Sequence, residues 1–260
     1  MVQDNISIII PSFNDFSEFK KTFNSIQKQL TPSDEIIIVD SSDDSGCIEL
    51  YLKNKNFNFK YFIVWTKPNG VYSAMNKGVE LSSKNFIQII NSGDILLKGV
   101  RPLISKAIKE NFYKDIFIFE QLSGFEENMP KRIKFTPTKD SLWPHQSIVA
   151  SKKVYNKIGF YNESYNIVSD QIFFAEARNL FEFMIINEPL TYYDLKGISS
   201  LASLNHSKEL FILWKKMDRN LVYCLYKSIT PYIKTFLIRV LGLRATQILK
   251  NYITGNYSNN

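Results

Sequence analysis

Two short runs, Ile6-Ser7-Ile8-Ile9-Ile10 and Glu35-Ile36-Ile37-Ile38-Val39-Asp40, constrain this chain more than any other feature. Each is almost continuously apolar, the pattern of a strand buried on both faces, whereas a half-exposed strand alternates. Between them Phe16, Phe19, Phe23, Ile26 and Leu30 recur every three or four residues, which lines them up as one stripe on a helix. Asp15 and Glu18 have the spacing of a capping box, with Asp15 as N-cap and Glu18 reaching back. Pro11 is expected to stop the first strand. A helix from about Gly46 to Lys55 and a third strand, Phe59 to Thr66, complete a βαβαβ order. That order predicts an α/β fold whose central sheet is mostly parallel and flanked by helices.

The stretch Lys67–Asp94 adds a turn at Pro68-Asn69-Gly70, a helix from Val71 to Leu81 and a buried strand from Asn85 to Ile90. The strand delivers Asn91-Ser92-Gly93-Asp94 into a turn. Ligands of open α/β sheets sit outside the carboxyl ends of the strands, so Asp40 and Asp94 fall where a ligand would lie. Asp94 offers hard oxygen to a divalent cation. The helix N-terminus presents N–H groups to an anion such as a diphosphate. Lys77 could neutralise phosphate charge and Asn76 could bond a sugar hydroxyl. Two readings stay open at some of these positions: Asp40 as a nucleoside contact or as a helix cap, Lys77 as a phosphate contact or as a solvated lysine.

These segments resemble the family 2 glycosyltransferases of GT-A fold, in particular the colanic-acid-like enzymes of bacterial surface polysaccharide. The likeness is carried by Tyr72-Ser73-Ala74-Met75-Asn76-Lys77-Gly78 and by Asn91-Ser92-Gly93-Asp94. It continues through Gly159-Phe160-Tyr161-Asn162-Glu163 to Ser169-Asp170-Gln171, and through Gly197-Ile198-Ser199, covering roughly residues 5–200. The resemblance implies an inverting, metal-dependent transfer from a nucleotide-diphosphate sugar, a UDP-sugar, to a glycan or lipid-linked glycan acceptor. It assigns Pro11, Ser12, Asn14 and Asp40 to the donor nucleoside, and Asn76, Lys77, Ser92 and Gly93 to the rest of the donor. Asp94 would hold Mn2+ or Mg2+, His145 and Gln146 would face the acceptor, and Asp170 would be the catalytic base. Read without the family, Asp170 is an acid in a helix first turn, and His145 is a structural histidine as readily as a contact. Gly197-Ile198-Ser199 resembles the family's mobile loop, which the likeness implies would close over donor and acceptor.

Three positions depart from the family pattern. Ser73 stands where Asp is common, Ser92 replaces the first acid of Asp-X-Asp, and Ser41-Ser42-Asp43-Asp44-Ser45-Gly46 replaces a Gly-rich loop. A catalytically inactive nucleotide-sugar-binding partner subunit is therefore the alternative. A nucleotidyltransferase ranks behind it, because Ile10–Asn14 lacks a loop rich in Gly, Arg and Lys.

Further along, Val100–Asn111 reads as a helix, Asp115–Phe119 as a strand, and Gly124–Lys139, with Pro130 and Pro137, as a loop or hairpin over the site. A short helix, Lys153–Ile158, is ended by Gly159. Ser169 is expected to cap the next helix with Asp170 as its first residue, and Phe183–Ile186 to form a strand.

The net charge of +7 lies entirely in the tail. Residues 1–206 hold 23 basic and 23 acidic side chains, and residues 207–260 hold nine basic and two acidic. The expected organisation is a GT-A domain, 1–206, and a basic helical extension, 207–260. Leu210, Trp214, Met217, Leu221 and Leu225 mark one amphipathic helix, and a second follows Pro231. Such helices suit an anionic membrane surface or self-association; no nucleic-acid module accompanies the charge. Two distant cysteines, a strand that starts at once and the lack of a long apolar run together predict a cytoplasmic protein, peripheral at the inner face of the membrane.

Overall fold

The computed structural model describes residues 3–44, 46–124, 130–138, 141–194, 204–233 and 235–236. The chain divides into two compact units, residues 1–197 and 198–260. The predicted start of the second unit is 207, nine residues past this division; the loop at 197–199 lies outside the described residues, as does the tail beyond 236.

The first unit opens with β1 (Ile6–Ser12), α1 (Phe16–Gln27), β2 (Glu35–Asp40), α2 (Gly46–Leu52), β3 (Lys60–Trp65), α3 (Val71–Leu81) and β4 (Phe86–Ile89). β1 pairs in parallel with both β2 and β4, and β2 with β3. Ile6, Ile8 and Ile10 pack on one face with Phe19, Phe23 and Ile26 of α1, while Ile9 packs on the other with Met75 and Val79 of α3. The strand runs are therefore apolar throughout because both faces are covered. β1 continues through Pro11 to Ser12, beyond the predicted stop. Pairing with β4 ends at Ile9–Ile89, so the N–H that proline lacks has no partner to lose.

The capping box is half formed: Asp15 accepts from the Glu18 N–H, but the Glu18 carboxylate turns to Lys21 at 2.5 Å. α3 lies close on β1 at Gly78, where a Cβ would come within 2.2 Å of Ile9 Cγ2. Only a residue without a side chain fits there.

The remaining elements are β5 (Ile95–Leu96), α4 (Val100–Glu110), β6 (Ile116–Gly124), β7 (Lys131–Ile133), β8 (Ile148–Ser151), α5 (Lys152–Ile158), α6 (Ser169–Leu180) and β9 (Phe183–Asp194). Among the described residues the sheet has nine strands in the order β3-β2-β1-β4-β8-β6-β9-β5, with β7 on β6. β8 runs antiparallel to β4 and β6, so the sheet is mixed. β6 and β9 are longer than their apolar runs predict, and their pairing slips twice around Glu120. The described part of the predicted loop or hairpin at 124–139 contains β7, antiparallel to β6. Val168, not Ser169, is the N-cap of α6, and Ser169 is its first residue.

At the amino ends of the strands Arg101 grips Asp34 through one guanidinium edge, Nε at 2.9 Å and Nη2 at 2.7 Å, and both side chains are buried. Asp34 also accepts from the N–H groups of Ile6 and Thr31, so one ion pair ties α4 to β1 and to the turn before β2.

In the second unit α7 (Leu204–Lys216) ends before a break, and residues 221–233 are helical again. The single helix predicted from Leu210 to Leu225 is thus interrupted: Asp218 takes a left-handed φ of 55°, and Pro231 lies inside the second helix. No helix among the described residues is long and apolar enough to cross a membrane.

Candidate active site

The carboxyl ends of β1 and β2 lie in register, Ser12 beside Asp40. One Asp40 oxygen accepts from the Ser42 N–H at 3.0 Å, whereas the other, Oδ2, and Ser12 Oγ are buried without a hydrogen-bond partner. Buried polar atoms are nearly always paired, so these two oxygens keep spare bonding capacity at the carboxyl ends of neighbouring strands. Asn14 does not join them. Its backbone φ is 51°, its side-chain amide exchanges two bonds with Asp43, and its N–H donates to Ser42 Oγ. It clamps the loops after β1 and β2 together.

The turn after β4 is fixed from α1. The Thr22 hydroxyl donates to the Asp94 carbonyl at 2.8 Å and accepts from the Gly93 N–H at 2.9 Å. Gly93 has φ 103°, a conformation other residues adopt only with strain. The Ser92 hydroxyl donates to the Pro11 carbonyl, which fastens the turn to β1. The Asp94 carboxyl is buried; it accepts from the Asp194 N–H at 3.2 Å and is bonded by the Gln146 side chain. Burial pushes this carboxyl up to about 8; the nearby Asp194 charge adds to the shift, and the hydrogen bonds from Asp194 N–H and Gln146 oppose it.

A bound cation would reverse that situation by stabilising the ionised form. Asp94, Asp194 and the Gln146 amide are oxygen-bearing groups of the kind Mg2+ and Mn2+ take. No three His, Cys, Asp or Glu side chains gather as a ready-made cage among the described residues. Few protein ligands suffice when phosphate oxygens and water complete the shell.

The helix between these strands carries Asn76 and Lys77. Gly70 caps α3 without a side-chain bond. Asn76 is buried and its amide is fully engaged: Nδ2 donates to the Tyr161 carbonyl and to Glu163, and Oδ1 accepts from the Tyr161 N–H, all at 2.9 Å. Lys77 pairs with Glu80 at 2.9 Å on the outer side of the helix. Asn76 therefore fastens α3 to the 161–163 segment, and Asn69 reaches the other Glu163 oxygen at 3.1 Å.

Asp170 opens α6. Tyr72 Oη donates to its Oδ1 at 2.8 Å and Gln171 Nε2 donates to its Oδ2 at 2.9 Å. Gln171 also bonds both the N–H and the carbonyl of Trp143. His145 is buried, which lowers its pKa, while the Asp170 charge pulls it back up. Its Nε2 has no hydrogen-bond partner, and its ring meets Tyr161 edge-on.

The short 3-10 turn His145–Ser147 thus borders both acids: the Gln146 side chain favours the Asp94 charge, and His145 feels the charge of Asp170. Carboxylates 76 positions apart in sequence border one turn. Tyr72, Gln171 and Asp194 were not singled out beforehand. Tyr72 heads the motif that carries the family likeness, and Asp194 ends a strand; both signals were present. Gln171 stands in the Ser169-Asp170-Gln171 segment of the likeness, but its bonds to the Trp143 main chain have no sequence signal.

Residues 7–175, well over half of the chain, match the model of glycosyl transferase family 2. The chain belongs to that family. An uncharacterized glycosyltransferase of Mycobacterium tuberculosis is 26% identical over 208 residues, which cover 75% of this transferase and 77% of the relative. A GalNAc(5)-diNAcBac-PP-undecaprenol beta-1,3-glucosyltransferase of Campylobacter jejuni is 29% identical over 109 residues, 41% of this chain and 35% of that one. Among solved structures, Staphylococcus aureus TarS 1-349 in complex with UDP-GlcNAc superposes with a TM-score of 0.66 at 18% identity, covering 86% of this chain and 71% of that chain. PcManGT from Pyrobaculum calidifontis, a mannosyltransferase in complex with GDP-Man and Mn2+, gives 0.64 at 11% identity, covering 97% and 81%. The transferase spans 43% of a longer TarS chain. These likenesses show the GT-A fold.

Proposed function

We propose that this glycosyltransferase moves a sugar from a nucleoside diphosphate, a UDP-sugar, onto an acceptor hydroxyl with inversion at the anomeric carbon. The observation that supports the reading is that Asp94 and Asp170 border one 3-10 turn, Asp94 beside Gln146 and Asp170 beside His145. Asp40 Oδ2 and Ser12 Oγ bond the nucleoside, with Pro11 and Asn14 shaping that end. Asp94 and Asp194 hold Mn2+ or Mg2+, which when bound supplies positive charge to the leaving diphosphate. Asp170 removes the acceptor proton; the acceptor oxygen forms its bond to the anomeric carbon as the bond to the diphosphate oxygen breaks, and the nucleoside diphosphate leaves with that electron pair. One displacement from the far face inverts the centre. His145 and Gln146 border the acceptor side, and Asn76 acts by holding α3 in place. Ser92 and Gly93 form the turn that presents Asp94.

The acceptor is proposed to be a glycan or lipid-linked glycan of a bacterial surface polysaccharide, met at the inner face of the membrane. The undecaprenol-linked substrate in the name of the Campylobacter relative and the basic excess of residues 207–260 favour this. So do exposed Leu221, Val222, Leu225 and Ile229 on the helix of the second unit, which suit an anionic interface. The test is a panel of UDP- and GDP-sugars with and without Mn2+, reading nucleotide release and, for the donor that turns over, the anomeric configuration of the product by NMR. One donor turned over in a Mn2+-dependent way with an inverted product supports the proposal. Retention of configuration, or turnover untouched by Asp170→Asn, overturns it.

A further inference from the structure

We infer that the Tyr72 hydroxyl is a positioning residue for the Asp170 carboxylate, so that α3, the helix beside the donor, also sets the base. This rests on the proposed role of Asp170 as base. A carboxylate in a helix first turn has a rotatable side chain, and the helix dipole favours its charge without fixing its direction. Two groups supply that direction. The Tyr72 hydroxyl donates to Oδ1 at 2.8 Å, and the Gln171 amide donates to Oδ2 at 2.9 Å. Gln171 is itself held by the Trp143 main chain at both its ends.

The hydroxyl is a fixed point because everything beneath it is fixed. The Tyr72 ring is 5% exposed and packs at 5.7 Å from Tyr161. Its helix cannot lift from β1 without breaking the close approach of Gly78 to Ile9. Neither can it slide along the 161–163 segment, since Asn76 makes three bonds there. With a donor bonded on each side, the carboxylate keeps a confined set of lone pairs for the acceptor O–H. The proton moves from the acceptor oxygen to Asp170, and Tyr72 keeps its own proton throughout. Its contribution is geometric, and a misplacement of about 1 Å at a reacting group can cost about 100-fold in rate.

The test compares wild type, Tyr72→Phe, Asp170→Asn and the double variant in Mn2+. Turnover is read as UDP release from UDP-GlcNAc, or from whichever UDP-sugar the wild type consumes, alongside UDP affinity by calorimetry and the unfolding midpoint. Phenylalanine keeps the ring and its packing. The expected result is a fall in kcat of about 10- to 100-fold in Tyr72→Phe, with UDP affinity and Tm unchanged, and no further loss when the change is added to Asp170→Asn. Full kcat in Tyr72→Phe, while Asp170→Asn is impaired, overturns this inference alone. A full additional loss in the Asp170→Asn background, or a loss that tracks a fall in Tm and in UDP affinity, marks a merely structural hydroxyl and also overturns it. Turnover that survives Asp170→Asn overturns the base assignment itself, and this inference with it.

Discussion

The two halves of the sheet achieve position by different means. In the β3-β2-β1-β4 half the strands are parallel, and the loops that follow are fastened to one another: Asn14 to Asp43, Ser92 to Pro11, and Gly93 and Asp94 to Thr22. Among the buried oxygens that remain unbonded once those fastenings are made are Ser12 Oγ and Asp40 Oδ2, at the carboxyl ends of β1 and β2. In the β8-β6-β9 half the strands run in mixed directions, one pairing slips, and the key carboxylate is held by side chains from elsewhere, Tyr72 on α3 and Gln171 with Trp143. The first half is a preformed cradle with open bonding capacity. The second holds Asp170, the proposed base, inside a network. Changes in the first half should therefore act on binding, and changes in the second on the rate of the chemical step.

The sharpest way to break that division is Asp170→Asn, which should cut kcat by about 10²- to 10⁴-fold, as loss of a general base does, while UDP affinity stays unchanged. Weakened UDP binding in this variant would blur the two halves. Next is Arg101→Met, which leaves Asp34 buried and unpaired and should cost about 3–5 kcal/mol in urea unfolding, as broken buried pairs do. The site lies at the opposite ends of these strands, so UDP affinity of the folded variant should survive; if it does not, the cradle is not as rigid as its fastenings suggest. Asp40→Ala should weaken UDP binding about 10- to 100-fold through loss of a charged hydrogen bond, with kcat at saturating donor retained. An effect on kcat without one on affinity would contradict the cradle.

The smallest effect belongs to His145. Burial holds its pKa below 6.5, against the pull of Asp170 and beside the Tyr161 ring. Below pH 6.5 the unfolded chain therefore takes up a proton that the folded imidazole resists, and stability falls as the pH drops through that value. The unfolding midpoint of His145→Gln should show less of this acid loss between pH 6.5 and 5. Parallel profiles for the two proteins would contradict it.

The same contrast explains what the sequence disclosed. Ile6–Ile10 and Glu35–Asp40 are legible because helices cover both faces, and α3 was readable to the residue, Val71–Leu81. β9 was not. Only Phe183–Ile186 has an apolar run, and the strand continues through Asn187-Glu188-Pro189 because pairing with β6 supplies what local pattern lacks. Two-residue β5 carries no pattern at all. The tail misled for a similar reason: Leu210 to Leu225 keeps helical spacing across a break at Asp218. At the site, residue types were readable and their bonding was not. Asn76 offered an amide at a donor-like position, but its bonds go to the 161–163 segment, 85 residues on, which no local pattern could disclose.

Asp94 is the proposed point where a cation and a nucleoside diphosphate meet. Calorimetric titration of UDP into wild type and Asp94→Asn, each with and without Mn2+, tests it most directly. The account predicts that Mn2+ strengthens UDP binding to the wild type and that this gain disappears in Asp94→Asn. Equal affinity with and without Mn2+ in the wild type, or an undiminished Mn2+ gain in the variant, would contradict it.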